Sequence, residues 1–190
     1  MKIGVLALQG DFSLHAAHLK TAGAMPVMVK QPHELEGCHG LIIPGGESTT
    51  LVKLMKAIDL FDAIADFSRT KPIFGTCAGA ILVAKEVLNH PVDPLGLINI
   101  TVERNAYGRQ IDSFSGEIDI SITNEQKQIE AVFIRAPKIR NCGPDVRVLG
   151  EHQGDPVIVE NDSVLAATFH PELTDETLVH RYFIEKVRKH

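Results

Sequence analysis

The chain contains no tryptophan, only two tyrosines and only three cysteines in 190 residues. Cys38, Cys77 and Cys142 are widely spaced and form no Cys-x-x-Cys pair, which excludes a disulfide framework and leaves no zinc-ligand pattern. Cys38 and Cys142 read as structural or surface residues. No basic block occurs, and the formal net charge is −5, so there is no electrostatic footprint for nucleic acid or an anionic membrane. Long apolar runs are missing as well. The first one, Ile3 to Leu8, stops at Gln9-Gly10-Asp11, too short for a signal-peptide core and far too short to span a bilayer. A cytoplasmic location is the expectation. Repeats, linkers and low-complexity stretches are absent. A 44% apolar composition over this length is enough for one domain, residues 1–190, with a sizeable core.

Strand and helix patterns alternate through the first half. Ile3 to Leu8 reads as a buried strand and Phe12 to Ala22 as a helix with apolar positions Phe12, Ala16 and Leu19. Strands follow at Val27–Val29 and Leu41–Ile43. Helices then run from about Thr49 to Ile58 and from Leu60 to Ser68, before a strand at Ile73–Phe74 and a helix reaching about Val87. Such alternation predicts an α/β fold with a mostly parallel central sheet flanked by helices. From Ile98 to Ile134 the signal turns strand-like, with Ile118, Ile120 and Ile122 alternating with polar residues, which predicts an antiparallel extension. Val146–Leu149, Val157–Val159 and Val164–Ala167 read as strands and Thr177–Lys189 as a closing helix.

Three motifs carry chemistry. Gly75-Thr76-Cys77-Ala78-Gly79 follows the apolar Pro72-Ile73-Phe74 and matches a strand-to-helix nucleophile elbow with cysteine in place of serine. Small residues on both sides let the strained turn lift the sulfur into the open, and a helix N-terminus beside it favours a thiolate. Taken alone, the motif also fits a buried structural cysteine. His170-Pro171-Glu172 supplies the missing base and acid. An extended residue before proline puts positions i and i+2 on one side, so Glu172 can hold one ring nitrogen of His170 while the other takes the thiol proton. An isolated His-Pro-Glu also fits a partly buried histidine beside a surface glutamate, but its occurrence with the elbow favours the catalytic reading. Pro44-Gly45-Gly46-Glu47-Ser48 lies between a short strand and a helix. Its glycines allow close approach of a ligand, and their N–H groups can stabilise an oxyanion. It lacks the lysine of a phosphate-binding loop and the glycine spacing of a dinucleotide fingerprint.

Together these motifs resemble class I, triad-type glutamine amidotransferases, which implies a flavodoxin-like fold. More narrowly, Leu8-Gln9-Gly10, Val102-Glu103-Arg104-Asn105-Ala106-Tyr107-Gly108-Arg109-Gln110, Phe133-Ile134-Arg135-Ala136-Pro137 and Phe169-His170-Pro171-Glu172-Leu173-Thr174 resemble the glutaminase subunits of pyridoxal 5′-phosphate synthase. The resemblance spans residue 3 to the C-terminal helix. It implies that Cys77 attacks the side-chain amide of L-glutamine, that His170 moves the proton and that Glu172 orients His170. It also implies glutamine binding by Gly46, Glu47, Ser48, Arg104, Ile134 and Arg135. Arginines suit the carboxylate of an amino acid through paired, charge-assisted hydrogen bonds. The N–H groups of Gly46 and Ala78 are the candidate oxyanion hole by position.

The resemblance further implies a partner. Ammonia would pass through a tunnel to a (β/α)8-barrel synthase subunit in a hetero-oligomer, with Gln9 and Gly10 as a segment that responds to it. No cofactor is implied. His15 and His18, three apart on the first helix, find no third metal ligand at suitable spacing, so no metal is expected. His90 and His152 have no motif around them. Two other classes share some of these features: elbow-cysteine peptidases, chaperones or deglycases, and a catalytically silent subunit that binds or regulates a synthase. The Pro-Gly-Gly-Glu-Ser and His-Pro-Glu segments speak against the first, and the complete set Cys77, His170 and Glu172 speaks against the second.

Overall fold

A computed structural model describes residues 1–89, 92–104, 113–122 and 125–190. In chain order, β1 (Lys2–Leu6), α1 (Phe12–Thr21), β2 (Met25–Val29), β3 (Gly40–Ile43), α2 (Ser48–Lys56), α3 (Leu60–Phe67), β4 (Ile73–Thr76) and α4 (Ala78–Val83) form the first half. They are followed by β5 (Ala84–Leu88), β6 (Ile98–Glu103), β7 (Ser113–Ile122), β8 (Glu125–Ile134), β9 (Lys138–Cys142), β10 (Arg147–His152), β11 (Asp155–Glu160), β12 (Val164–Ala167) and α5 (Leu178–Lys189).

Among the described residues one sheet has nine strands in the order β2-β1-β3-β4-β12-β11-β10-β7-β8. Pairing from β2 to β12 is parallel; from β12 to β8 it is antiparallel. The antiparallel part contains the β7–β8 hairpin in the region where Ile118, Ile120 and Ile122 alternate. A smaller sheet has the order β5-β6-β9.

Alternation along the parallel strands sends neighbouring side chains to opposite faces. Ile3, Val5, Ile42, Phe74 and Leu165 enter a core with Leu19 of α1 and Phe183 of α5. Leu6, Leu41, Ile43, Ile73 and Ala166 enter another with Leu51 and Met55 of α2 and Ile64 of α3. Both faces are therefore covered, as a parallel sheet requires. Phe183 meets Phe74 at a ring-centroid distance of 5.6 Å and closes the first core.

Three features depart from what the sequence pattern predicts. The helix after Cys77 does not reach Val87: all six residues of α4 are buried, and the chain turns extended at Ala84 to enter β5. β5 gains its backbone partners from β6, a pairing that no local pattern reveals. β9 was not foreseen either, because Lys138–Cys142 has one well-buried residue and borrows its order from β6. On α2, Leu54 points outward rather than joining Leu51 and Met55. No helix among the described residues is long and apolar enough to cross a membrane. His90 and the stretch Asn105–Gln110 lie outside the described residues.

Candidate active site

Four adjacent parallel strands, β1, β3, β4 and β12, end at one edge, and each hands its chain to a segment of the candidate site: Gln9-Gly10, Gly45-Gly46-Glu47, Cys77 and His170. The carboxyl ends of an open α/β sheet are where such clefts form. Gln9, Gly10, Gly46, Glu47, Ser48, Cys77, Ala78, Arg104, Ile134, Arg135 and His170 line one cleft of about 350 Å³. Every residue named above for glutamine binding is thus at the same cavity. Glu172 stands behind it.

Cys77 adopts φ +49° and ψ −104° between β4 and α4. An ordinary L-residue avoids this conformation, and the strain aims the side chain into the cleft. Both flanking glycines are required by space. A Cβ on Gly75 would overlap the carbonyl of Gly79, and one on Gly79 would overlap the carbonyl oxygen of Ile43 on β3. The sulfur lies 3.7 Å from the carbonyl oxygen of Ile134, to which the thiol can donate weakly. Because α4 has only six residues, it contributes less dipole than the longer helix expected from the sequence.

His170 follows β12, and its N–H bonds the carbonyl of Val132 on β8 at 2.8 Å. Its Nδ1 is 2.7 Å from Glu172 Oε1, and both side chains are buried. Burial works against a charged imidazole here. Hydrogen bonding to Cys77 and Glu172, and attraction to both, outweigh it and push the His170 pKa up to about 10. For Glu172, burial opposes ionisation, but its close contacts with His15 and His170 hold its carboxyl well below the usual carboxylate range. The Cα of Gly45 faces the His170 ring, where an added Cβ would stand 2.5 Å from Cε1.

The Gly45-Gly46 loop is tied down from two sides. Gly46 has φ +144°, a backbone state that side-chain-bearing residues avoid, and a Cβ there would stand 2.9 Å from Gln9 Oε1. Glu47 caps α2 by accepting the N–H groups of Thr49 at 3.1 Å and Thr50 at 2.7 Å. Burial raises it, but these bonds and the Thr50 hydroxyl together outweigh burial and bring the Glu47 pKa down to about 2. The ionised Glu47 accepts from Arg104 Nη2 at 2.6 Å, while Arg104 Nη1 reaches Thr49 Oγ1 at 3.1 Å. Arg104 is therefore held in place at the cleft wall. Arg135 is exposed, with φ +42°.

The remaining singled-out residues lie elsewhere. Cys38 Sγ donates to the Glu34 carbonyl, and burial pushes the Cys38 and Cys142 thiols up, which makes them poor nucleophiles. His152 packs on Phe114 and Phe133. His15 and His18 sit in a buried histidine cluster with His180, and no group of metal-ligating residues is formed among the described residues. Sequence reasoning overlooked His15 as a neighbour of Glu172. The available signal was its place between Phe12 and Leu19 on the apolar face of α1. A second cleft, of about 420 Å³, contains Glu160 bound by Arg147, Tyr182 and Lys186, and neither cysteine nor serine lines it.

An α/β sheet presenting cysteine, histidine and glutamate at its strand ends has the layout of the triad-type amidotransferase class. A solved structure described as a glutamine amidotransferase superposes with a TM-score of 0.92 at 43% identity, covering 98% of both chains. PurLQS from Thermotoga maritima shares the fold at a TM-score of 0.69 and 16% identity, over 99% of this chain and 97% of that one. This chain belongs to the SNO glutamine amidotransferase family, which matches residues 5–189. A protein of Solibacter usitatus named pyridoxal 5′-phosphate synthase subunit PdxT is 54% identical over 98% of this chain and 99% of its own. One of the same name from Thermosipho africanus is 47% identical over the whole of both.

Proposed function

We propose that this chain is the glutaminase subunit of pyridoxal 5′-phosphate synthase and that Cys77, His170 and Glu172 perform the hydrolysis. The observation that carries the site is the strained Cys77 elbow opening on the cleft that His170 shares, with His170 Nδ1 2.7 Å from the buried Glu172. Cys77 Sγ attacks the side-chain amide carbon of L-glutamine, and the resulting oxyanion faces the N–H groups of Gly46 and Ala78. His170, held by Glu172, gives its proton to the leaving nitrogen, ammonia departs and a glutamyl thioester remains. Water, deprotonated by His170, then attacks the thioester and releases L-glutamate and the thiolate. Arg104, oriented by Glu47 and Thr49, receives the carboxylate of the amino acid together with Arg135, while Glu47, Ser48 and Ile134 shape the rest of the cleft.

Ammonia is consumed by the partner rather than by this chain. In this reading the partner is a (β/α)8-barrel synthase subunit in a cytoplasmic hetero-oligomer, reached through a tunnel that keeps ammonia from protonation and dilution. Residues 1–190 act as one amidotransferase domain. The test compares glutamate and ammonia release from glutamine by wild type and Cys77→Ala, each alone and with the synthase subunit. Release that rises with the partner and disappears in the variant is expected. No Cys77-dependent release in either condition overturns the reading in favour of a silent subunit or a peptidase-like activity, and labelling of Cys77 by a thiol-reactive glutamine analogue separates those two.

A further inference from the structure

Glu172 has a second partner that the proposed chemistry leaves unused. Its Oε1 is taken by His170, while Oε2 is buried and makes no well-aligned hydrogen bond. His15 of α1 stands beside it, fully buried, with Nε2 3.3 Å from Glu172 Oε2 and 3.3 Å from Thr76 Oγ1 at the end of β4. On its other side, His15 Nδ1 is 2.9 Å from Nε2 of His180 on α5. His180 is also fully buried, and His18 stacks on it with ring centroids 4.6 Å apart.

A single assignment of protons suits these contacts. Facing an ionised carboxylate, His15 must carry its proton on Nε2, since a bare ring nitrogen would set its lone pair against the negative charge. Nδ1 of His15 is then an acceptor, so His180 carries its proton on Nε2 and donates to it. That leaves His180 Nδ1 unprotonated, which agrees with its burial away from any hydrogen-bond partner. Burial above all keeps His180 neutral by lowering its pKa well below the ordinary value. Burial lowers His18 as well. The groups facing His15 are therefore His18 on its own helix, His180 on α5, Thr76 on β4 and Glu172 after β12, with Asp175 acting on His18. Glu172 is the only carboxylate in direct contact among those named.

We propose that His15 is a positioning residue for glutamine hydrolysis: its Nε2–H pins Glu172 Oε2, so that Oε1 holds the His170 ring in register with Cys77. A carboxylate bonded at one oxygen alone can pivot, and its buried second oxygen bears the cost of an unmet donor. With both oxygens engaged, the plane of Glu172 is set by α1 as well as by its own loop. His180 in turn fixes which His15 nitrogen bears the proton. The inference rests on the triad reading above.

The test uses the complex with the synthase subunit and three variants: His15→Gln, His15→Asn and His15→Leu. The Gln amide nitrogen occupies about the place of imidazole Nε2 and still reaches Glu172; the equally polar Asn amide falls at the Nδ1 position and does not. His15→Gln is expected to stay within about threefold of wild-type kcat, whereas His15→Asn and His15→Leu lose about ten- to a hundredfold, with KM for glutamine little changed. In the latter two, the acidic limb of the kcat profile moves to higher pH, because Glu172 without a donor on Oε2 protonates more readily. Comparing Gln with Asn keeps the test decisive if the Leu variant does not fold. Equal kcat and equal pH profiles for Asn and wild type, or equal impairment of Gln and Asn, overturn the positioning role alone. An inactive wild-type complex overturns the underlying triad reading, and this inference with it.

Discussion

Gln9 Oε1 accepts the backbone N–H of Glu47 at 3.0 Å. The contact joins the loop after β1 to the loop after β3, and a neighbouring constraint strengthens it: a Cβ on Gly10, whose φ is +84°, would overlap the carbonyl oxygen of Gly45. The segment that was singled out as partner-responsive is therefore keyed directly into the backbone that carries Gly46. Anything that moves residues 9 and 10 must act on that backbone.

For that reason Gln9→Ala is expected to lower the ratio of partner-stimulated to basal glutamine hydrolysis by about tenfold, the effect of releasing one or two oriented backbone contacts near a developing oxyanion. Steady-state glutamate release with and without the synthase subunit measures the ratio. An unchanged ratio removes Gln9 from the proposal.

The raised pKa of His170 depends on Cys77 and Glu172, and Cys77 can be taken away cleanly. In Cys77→Ala the His170 pKa should fall from about 10 toward its ordinary value, as read by NMR titration of the imidazole. The sign carries into stability. A folded-state pKa above the unfolded value of about 6.5 stabilises the fold fully below that pH and loses its effect as pH rises through the folded value. Wild type should thus lose stability on going from about pH 7 to 10 by more than Cys77→Ala does, in denaturant melts across that range. An identical midpoint for His170 in both proteins would show that Cys77 does not hold its proton.

Gly79→Ala places a methyl group on the Ile43 carbonyl oxygen. Backbone cannot yield as a flexible side chain would, so α4 must move away from β3 and take the Cys77 elbow with it. A destabilisation of about 1–3 kcal/mol is expected, together with loss of hydrolysis by about a hundredfold or more, since a nucleophile displaced by about 1 Å costs that much. Thermal melts and glutamate release check the two effects separately; a variant with native activity would show that the elbow has slack.

Much of the fold could be read in the chain because its strands are short apolar runs with turn signals at their ends. The parallel strands and the β7–β8 hairpin fall where periodicity places them. β5 and β9 escaped notice because their order comes from pairing with β6 and not from their own pattern. The helix after Cys77 was overextended for a related reason: Ala84 to Leu88 has no glycine or proline to stop a helix, and only the ladder with β6 ends it.

At the site, motifs taken together singled out Cys77, His170 and Glu172 as candidates, since few side chains can serve as nucleophile, base and orienting acid and each stands in a motif with the turn geometry its proposed role needs. Their local contacts follow from short spacings, such as the single residue between His170 and Glu172. Contacts across the chain were decided only by the tertiary structure. His15 meets Glu172 because α1 packs against the short turn that follows β12, Gln9 meets Glu47 because β1 and β3 are neighbours, and Arg104 meets Glu47 because β6 ends beside the start of α2. Sequence specifies which chemistry is available. Packing of the sheet specifies which groups lie within the 3 Å or so over which that chemistry acts.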